Sequence, residues 1–223
     1  MNWLSIGEGM EKAKKVINYY VLCNRLKDTI RTGWEDWNVK RERIESVAEH
    51  VYSTQMLAIA MKSEYQYDID IEKVLFMLAI HELGETIIGD LTRFQVSKEE
   101  KEKKEHEAVH NVLKTLIDGE TIEELFLEFD ERITPEARFA YQCDKLECDL
   151  QSKLYDQEHC VDLSHQENNN TVDDESIKQL LSAGCSFSTM WLKFWQKKAS
   201  YDEHFMEVSN YAMTHELDEP YTK

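Results

Sequence analysis

The sequence predicts an all-α helical bundle, and three observations favour this fold class. The 223 residues include only 7 glycines and 2 prolines, whereas all-β folds need many turn residues and dinucleotide-binding folds need glycine-rich loops. Apolar residues recur at helical spacing along most of the chain, and no segment reads as a strand. Because the length is typical of one domain, we expect a single domain over residues 1–223.

The predicted helices follow one another along the chain, each defined by its apolar stripe. In the first helix the stripe includes Val16, Ile17, Tyr20 and Val21. The polar, asparagine-rich segment 156–174 predicts a surface loop that precedes the C-terminal helices. The predicted helices cover residues 11–30, 47–62, 71–88, 98–119 and 136–154, and one or two more cover 176–215.

Residues typical of helix ends support these boundaries. Gly89 is a plausible C-terminal stop for the most apolar helix. Ser97 and Glu100 predict a capping box at the start of the charged helix that follows. Thr134 and Pro135 form a suitable N-cap and first-turn pair for the next helix.

The charge balance excludes one class of partner. With 26 Lys and Arg against 44 Asp and Glu, the formal net charge is −18, so a long basic surface for a nucleic-acid polymer is not expected. A small anion could still bind where a few arginines and a metal ion concentrate positive charge. The five cysteines are odd in number and form no Cys-x-x-Cys pair, which is typical of a reducing compartment. No signal-peptide core or 18-residue apolar run is present, so we expect a soluble cytoplasmic protein without membrane partners.

Groups that can bind a metal ion occur on three predicted core helices. His81, Glu82 and Glu85 fall on the most apolar helix, where a buried carboxylate is costly unless it is paired or coordinates a metal. Taken alone, the His-Glu doublet is better explained by the two side chains satisfying each other or a backbone group. His50 and Asp144 lie on the inward faces of two other predicted helices. Two imidazoles and two carboxylates together suit a divalent transition metal with positions open for water and substrate.

Several sequence motifs in a fixed order carry a family resemblance. The chain contains RTGW, ESVAEHVY, HELGETIIGDLTRF and DKLE in that order. It resembles the HD-domain metal-dependent phosphohydrolases, in particular the 5′-deoxynucleotidase-like branch, over residues 11–154. The resemblance implies an HD-domain helical bundle. One departure is clear, since the family has a His-Asp doublet where this chain has His81 and Glu82.

The resemblance also implies an activity and a cofactor. The activity would be the release of phosphate from nucleoside 5′-monophosphates, most of all 5′-deoxynucleotides. The cofactor would be one divalent metal ion, either Mn, Co, Zn, Fe, Ni or Mg. The implied metal ligands are His50, His81, Glu82 and Asp144.

The remaining implied site residues fall into a catalytic and a substrate-binding group. Glu85 and Asp90 would orient or deprotonate the attacking water. Arg31 and Trp34 match the segment that in relatives grips the phosphate and packs on the sugar, and Arg43 is a further cation in the same loop. The segment between Trp34 and the first histidine ligand is about two residues longer than in relatives, so contacts made by this loop carry over least directly.

Two other functions are alternatives to this one. A different HD reaction would hydrolyse a cyclic nucleotide, a nucleoside triphosphate or an alarmone. A metal- or nucleotide-binding regulatory protein would have lost catalysis through the change of the doublet to His-Glu. The presence of Glu85 and Asp90 favours an enzyme, because a pure binding protein does not need them.

A second histidine motif predicts a different metal site. Residues 106–110 read H-E-x-x-H, which on a helix can place two histidines around zinc. The segment SKEEKEKKEHE that leads into it is strongly charged, whereas an active-site helix would be apolar on its inner side. We therefore interpret this match as accidental.

The resemblance further implies a homodimer, because related HD nucleotidases commonly form one. Aromatic residues near the C-terminus are candidates for its interface, or else they cover the protein's own core. These residues are Trp191, Phe194, Trp195, Phe205 and Tyr211.

Overall fold

A computed structural model describes residues 3–92 and 95–218, with side chains from residue 8 onward. Every extended element in this part of the chain is a helix, and an isolated bridge between Ile30 and Ser46 is its one β feature. The predicted all-α fold is therefore confirmed. No helix among these residues is both long and apolar enough to cross a membrane.

Short connections join most of the helices, and longer ones follow residues 36, 88 and 157. Two single 3₁₀ turns supplement them, at Asn24–Lys27 and Asn170–Asp173. The α-helices are α1 (Trp3–Cys23), α2 (Thr32–Asp36), α3 (Val47–Tyr65), α4 (Ile71–Ile80), α5 (Glu85–Ile88), α6 (Lys98–Leu113), α7 (Gly119–Glu131), α8 (Pro135–Gln157), α9 (Glu175–Ser182), α10 (Phe187–Lys198) and α11 (Glu203–Thr214).

Helix α8 is the centre of the bundle. It packs against α3, α4, α7, α10 and α11, and its inner face carries both apolar and ionisable residues. Ala140 and Leu146 join the main hydrophobic core, together with Leu78 of α4. Asp144 and Glu147, on the same buried side of α8, carry carboxylates into the interior. The helix that holds the core together thus also carries acidic groups towards α3 and α4.

The predicted helix starts are found with one modification. Thr134 caps α8 by accepting a hydrogen bond from the backbone of Ala137, and Pro135 is the first helical residue. Ser97 caps α6 by accepting from the backbone of Glu100. The carboxylate of Glu100 pairs with Lys104 on the next turn. Of the two hydrogen bonds that make up the predicted capping box, the structure thus contains the one accepted by the Ser97 side chain.

The helix predicted over 71–88 is interrupted where the chemistry lies. Helix α4 ends at Ile80, and a turn over residues 81–84 separates it from α5. The imidazole Nδ1 of His81 donates to the Leu78 carbonyl oxygen at 2.8 Å, and the backbone of Leu83 bonds three residues back to Ile80. The prediction of one continuous helix over 71–88 was wrong, because the His81 side chain bonds to the Leu78 carbonyl oxygen in the last turn of α4.

Two other predicted boundaries also differ. Helix α6 ends at Leu113, and α7 begins at Gly119, whereas the sequence predicted one helix over 98–119. A Cβ at position 119 would lie 2.2 Å from the Leu113 carbonyl oxygen, so glycine permits this close return of the chain. Helix α1 begins eight residues before the predicted start and gives way to the 3₁₀ turn after Cys23.

The apolar stripe of α1 that was predicted to face the core lies on the exposed side of this helix. Four of its residues expose between 59% and 64% of their surface, namely Val16, Ile17, Tyr20 and Val21. The face that packs on the bundle instead carries Tyr19, Leu22 and Cys23, which contact the core cluster around Leu113 and Phe126. The helical period was correct, but α1 packs through a neighbouring face.

The aromatic residues proposed for a dimer interface lie mostly within this chain's own core. Phe194 and Phe205 are fully buried, and Trp191 and Trp195 pack against buried clusters. Only Tyr211 among the five is strongly exposed. The use of this set as a free surface is therefore wrong, and the C-terminal helices anchor on the core as the alternative predicted.

Candidate metal centre

Two histidine rings face each other at the centre of the site. His50 of α3 and His81 after α4 are buried, and their Nε2 atoms lie 3.3 Å apart. The Nδ1 of His50 donates to Glu147 at 2.5 Å, and the Nδ1 of His81 donates to the Leu78 carbonyl. With each Nδ1 used as a donor, both Nε2 atoms point to the same place, and each offers a lone pair there when its ring carries no second proton.

Glu82 and Asp144 complete a four-residue ligand set. Asp144 Oδ1 lies 3.1 Å from His50 Nε2 and 3.9 Å from His81 Nε2. Glu82 Oε1 lies 3.7 Å and 3.6 Å from the same two nitrogens. One ligand atom from each of the four residues lies within 4.8 Å of all the others. The structure thus brings the four predicted metal ligands together.

The donor set fits a divalent metal ion. Bonds of about 2.0 to 2.2 Å from one ion to nitrogen and oxygen ligands place neighbouring ligand atoms roughly 3 to 3.5 Å apart. The distances from His50 Nε2 to Asp144 Oδ1 and His81 Nε2, 3.1 Å and 3.3 Å, match this spacing, and Glu82 Oε1 lies slightly farther away at 3.7 Å. Two imidazole lone pairs and two carboxylates around one point repel one another, and a shared cation relieves that repulsion. The orientation of both rings by second hydrogen bonds is also typical of metal-binding histidines.

The charges around the centre support the same interpretation. Burial and Arg31 disfavour a protonated His50, but Glu147 and Asp144 outweigh them and raise the pKa of His50 to about 10. This environment therefore favours a positive charge at the ring. Burial lowers the pKa of His81, so its imidazole is neutral. Burial alone would raise the pKa of Asp144, yet Lys145 and His50 hold it well below its usual range.

Glu147 is a site residue that the sequence analysis did not single out. It lies one helical turn after Asp144 on α8 and orients His50 through the Nδ1 hydrogen bond. Its signal was available in the DKLE motif, where the glutamate follows the aspartate by three residues and so shares its face. Glu45, which accepts from the Trp34 indole at 2.7 Å, lies in the same acidic region, and burial and Glu147 raise its pKa to about 7.

Glu85 has the properties of a proton acceptor beside the ligand set. Its side chain lines the same cavity and is 2% exposed, and among the residues that the structure describes neither of its oxygens has a hydrogen-bond partner. Its nearest cation is Lys101, at 3.8 Å. Burial, Glu82 and Asp90 raise the pKa of Glu85 well above its ordinary value. A buried, unpartnered carboxylate with a raised pKa is suited to general acid–base work.

Asp90 is held in a structural contact. Its carboxylate accepts from the backbone N–H of Thr32 at 2.7 Å, and its carbonyl oxygen accepts from the Thr32 hydroxyl at 2.7 Å. These bonds fix the start of α2, the helix that follows Arg31. Asp90 also lines the cavity, so the structure brings it to the site through the loop that carries Arg31.

The predicted substrate residues are not equally close to the centre. Arg31 lines the cavity and donates to Glu82 at 2.9 Å and to the Cys148 sulfur at 3.1 Å. Trp34 also lines the cavity, although most of its ring packs on Tyr155 and Phe187. Arg43 does not line it. Its side chain is 81% exposed and pairs with Glu49, because its loop directs it towards the outer face of α3.

The site opens into one cavity of about 670 Å³. Its lining combines the acidic residues around the ligand set with several cations, aromatic rings from α10, and Tyr141 of α8. The cations are Arg31, Lys98, Lys101, Arg132, Lys145 and Lys198. Six cations and seven carboxylates thus line the cavity, so its charges nearly balance, whereas the whole chain carries a net charge of −18.

The H-E-x-x-H segment forms a different arrangement. The side chain of His106 is 41% exposed and pairs with Asp130, and that of His110 is 58% exposed and pairs with Glu123. Within the part of the chain that the structure describes, neither histidine belongs to a group of three or more metal-ligating side chains. Their contacts are surface ion pairs, which supports the interpretation of this motif as accidental.

Comparison with known proteins identifies the family. The profile of the HD domain family matches residues 23–183, well over half of the chain. The chain belongs to the HD domain family. The HD domain carries all four ligand residues within this range. The predicted resemblance is therefore confirmed, and the 5′-deoxynucleotidase-like branch is supported by named relatives.

Two curated relatives are named for the same activity. The 5′-deoxynucleotidase hdd1 of Schizosaccharomyces pombe is 35% identical over 152 residues, which cover 65% of this chain and 74% of the relative. The human 5′-deoxynucleotidase HDDC2 is 30% identical over 156 residues, covering 69% of this chain and 72% of the relative. Among solved structures, a conserved hypothetical protein of Pyrococcus furiosus has a TM-score of 0.56 and 26% identity, covering 82% of this HD protein and 98% of the other chain.

Proposed function

We propose that this protein is a metal-dependent phosphohydrolase that releases phosphate from nucleoside 5′-monophosphates, with 5′-deoxynucleotides as the preferred substrates. The observation that carries the proposal is the convergence of His50, His81, Glu82 and Asp144 around one point, with the unpartnered Glu85 in the same cavity. The names of the relatives support the choice of substrate class.

We further propose that the four ligands hold one divalent metal ion, drawn from Mn, Co, Zn, Fe, Ni and Mg. Imidazole and carboxylate ligands together suit this group of metals. When bound, such an ion supplies an acidified water as nucleophile and offsets the negative charge of a phosphate group.

The protein's own groups divide the remaining work. Glu85 accepts a proton from the attacking water, because its carboxylate is buried, unpartnered and more basic than an exposed glutamate. Arg31 keeps Glu82 in place through its 2.9 Å hydrogen bond and presents further N–H donors to the cavity. Asp90 supports this arrangement by fixing the backbone of Thr32.

Metal analysis followed by a phosphate-release screen over mononucleotides tests the proposal. We expect about one divalent ion per chain and phosphate release with at least one of Mn²⁺ and Co²⁺. His81→Ala is expected to abolish the metal stoichiometry, whereas the matched variant His106→Ala retains it. Loss of metal only in His106→Ala would refute the proposed site.

A third variant tests whether Glu85 acts as the proton acceptor and not as a metal ligand. Glu85→Ala is expected to lower turnover by about a hundredfold or more, the usual contribution of general-base catalysis, while metal occupancy stays near that of the wild type. Wild-type protein that binds metal but releases no phosphate from any nucleotide would favour a regulatory binding protein instead.

We also propose a homodimer and a cytoplasmic location. The five cysteines are all unpaired, which supports a reducing compartment. The exposed apolar face of α1 supports pairing, because closed two-fold dimers commonly bury such patches. Light scattering is expected to give twice the 26.4 kDa chain mass. Ile17→Glu is expected to give monomers and the separately exposed Ile117→Glu to leave dimers, while monomeric wild type would refute the dimer.

A further inference from the structure

Lys145 occupies a distinctive position next to the ligand set. It follows Asp144 on α8, and its Nζ donates to Asp144 Oδ2 at 2.7 Å, while Oδ1 of the same carboxylate faces His50. Lys145 also lines the cavity.

Two aromatic rings hold this ammonium in place. Lys145 Nζ lies 5.3 Å from the ring centre of Tyr141 and 5.1 Å from that of Trp195. Both distances are within the range of cation–π attraction. This attraction uses no N–H donor, so two of the three donors of the ammonium remain after the bond to Asp144.

Two other cations that line the cavity, Arg31 and Lys101, have different neighbours. Arg31 donates to Glu82 and Cys148. Lys101 lies 3.3 Å from Glu105 and 3.8 Å from Glu85, next to the expected proton acceptor. Lys145, like Arg31, pairs with an expected metal ligand, but its other neighbours are two aromatic rings, whereas Arg31 donates a second hydrogen bond to Cys148. A divalent ion bound by Asp144 would neutralise much of the negative charge of that carboxylate. The Lys145 ammonium would then keep a positive charge that can attract an anion.

We propose that Lys145 binds the phosphate group of the substrate, and that Tyr141 and Trp195 are positioning residues that hold its ammonium beside the metal ligands. The inference rests on the proposed phosphohydrolase function, which it deepens by assigning the phosphate contact. A phosphate oxygen that approaches the ligand set lies within reach of an ammonium 2.7 Å from Asp144, and charge-assisted hydrogen bonds of this kind are among the strongest in proteins.

The proposal gives α10 a part in the site. Trp195 lies in α10, beyond the residues 23–183 that match the family profile. Helix α10 packs on α8, which is how its tryptophan reaches a lysine adjacent to an expected metal ligand. The segment after the matched region therefore contributes to substrate binding as well as to the core.

The test measures phosphate binding and metal binding separately. Inorganic phosphate is titrated into Mn²⁺-loaded protein by calorimetry, and Mn²⁺ affinity is measured in the same variants. Lys145→Met is expected to weaken phosphate binding at least about tenfold, the loss expected for a charge-assisted contact, with Mn²⁺ affinity within about threefold of wild type. Lys145→Arg is expected to restore most of the binding, and the matched control Lys178→Met, a lysine paired with Asp173, is expected to change neither.

Trp195→Leu keeps the ammonium and removes one ring, so it is expected to weaken phosphate binding by a smaller factor, about two- to fivefold. Unchanged phosphate binding in Lys145→Met would overturn the proposal. A parallel loss of Mn²⁺ and phosphate affinity in Lys145→Met, with no rescue by Lys145→Arg, would also overturn it, because the lysine would then act only through Asp144. Failure of the wild type to hydrolyse nucleotides would refute the proposed function but leave this binding measurement intact.

Discussion

Arg31 donates a hydrogen bond of 2.9 Å to Oε1 of Glu82, the one expected metal ligand that differs from the His-Asp doublet of the family. The same oxygen lies 3.6 Å from His81 Nε2 and 3.7 Å from His50 Nε2. The longer glutamate side chain therefore reaches the ligand set while it also pairs with a guanidinium. Burial opposes the charge on Glu82, but the cations Arg31 and Lys101 hold its pKa well below the usual range.

Restoring the family doublet with Glu82→Asp is expected to keep one metal ion per chain and to keep or raise phosphatase activity. The charge and a ligand oxygen remain, although the shorter side chain gives up reach towards Arg31. Glu82→Gln is the matched control, since it preserves length but removes the charge, and it is expected to weaken metal binding at least about tenfold. A Glu82→Asp protein that binds no metal would show that the site depends on the reach of glutamate.

Glu147→Gln is expected to reduce metal affinity by about ten- to hundredfold, as is typical when the partner of a metal-binding histidine is altered. The glutamine amide oxygen can still accept the hydrogen bond from His50 Nδ1. Without the negative charge, however, the Nε2 atom of the ring donates its electron pair to a metal ion less strongly. Competition with a metal-binding dye measures the effect. Glu158→Gln, at a partly exposed glutamate paired with Arg41, is expected to leave the affinity unchanged, and equal affinities for both variants would contradict the role of Glu147.

Gly119→Ala is expected to destabilise the fold by at least about 2 kcal/mol, in the range of overpacked substitutions. The new Cβ would lie 2.2 Å from the carbonyl oxygen and 2.8 Å from the carbonyl carbon of Leu113. Both are backbone atoms, so the connection between α6 and α7 must move. Gly9→Ala is the control, because nothing lies within 4 Å of its Cβ in α1, and it is expected to be neutral or stabilising. Equal urea midpoints for the wild type and Gly119→Ala would contradict this account.

The ligand set could be predicted because two kinds of sequence information agreed on it. Helical periodicity placed His50 and Asp144 on inward faces, and the order of motifs linked them with the His81-Glu82 doublet. Both depend on local sequence. The caps at Ser97 and Thr134 could be predicted for the same reason, since a cap is a contact between residues three apart.

The remaining features depend on specific side-chain contacts, local or distant, that the spacing of apolar residues and the motifs do not reveal. The break after Ile80 follows from the bond of the His81 ring to Leu78, which helix propensity does not contain. The apolar residues of α1 did not reveal which face packs against Phe126. The position of Arg43 depends on its ion pair with Glu49, whereas that of Lys145 depends on Trp195, fifty residues further along the chain.

Asp149 provides a test of stability at a buried carboxylate away from the ligand set. It is fully buried on α8, its Oδ2 accepts from the Tyr201 hydroxyl at 3.0 Å, and its Oδ1 has no partner. Burial raises the pKa of Asp149 well above its ordinary value, although Tyr201 acts in the opposite direction. The folded protein therefore holds this proton more tightly than the unfolded chain does. Its contribution to stability is complete below the unfolded-state pKa and is lost as the pH rises through the folded-state pKa.

Asp149→Asn removes the charge and keeps an oxygen that can accept from Tyr201. We expect the variant to be more stable than the wild type at pH 8 by at least about 1.4 kcal/mol, the free energy of one pKa unit. The advantage is expected to shrink from pH 8 towards pH 5, because the raised pKa lets the wild-type carboxyl take up its proton at a higher pH than an ordinary aspartate does. Urea unfolding at both pH values measures the difference, and the exposed Asp68→Asn, which changes the net charge equally, is expected to give no such trend. Parallel stability curves for Asp149→Asn and wild type would mean that the folded protein tolerates the charge at this position.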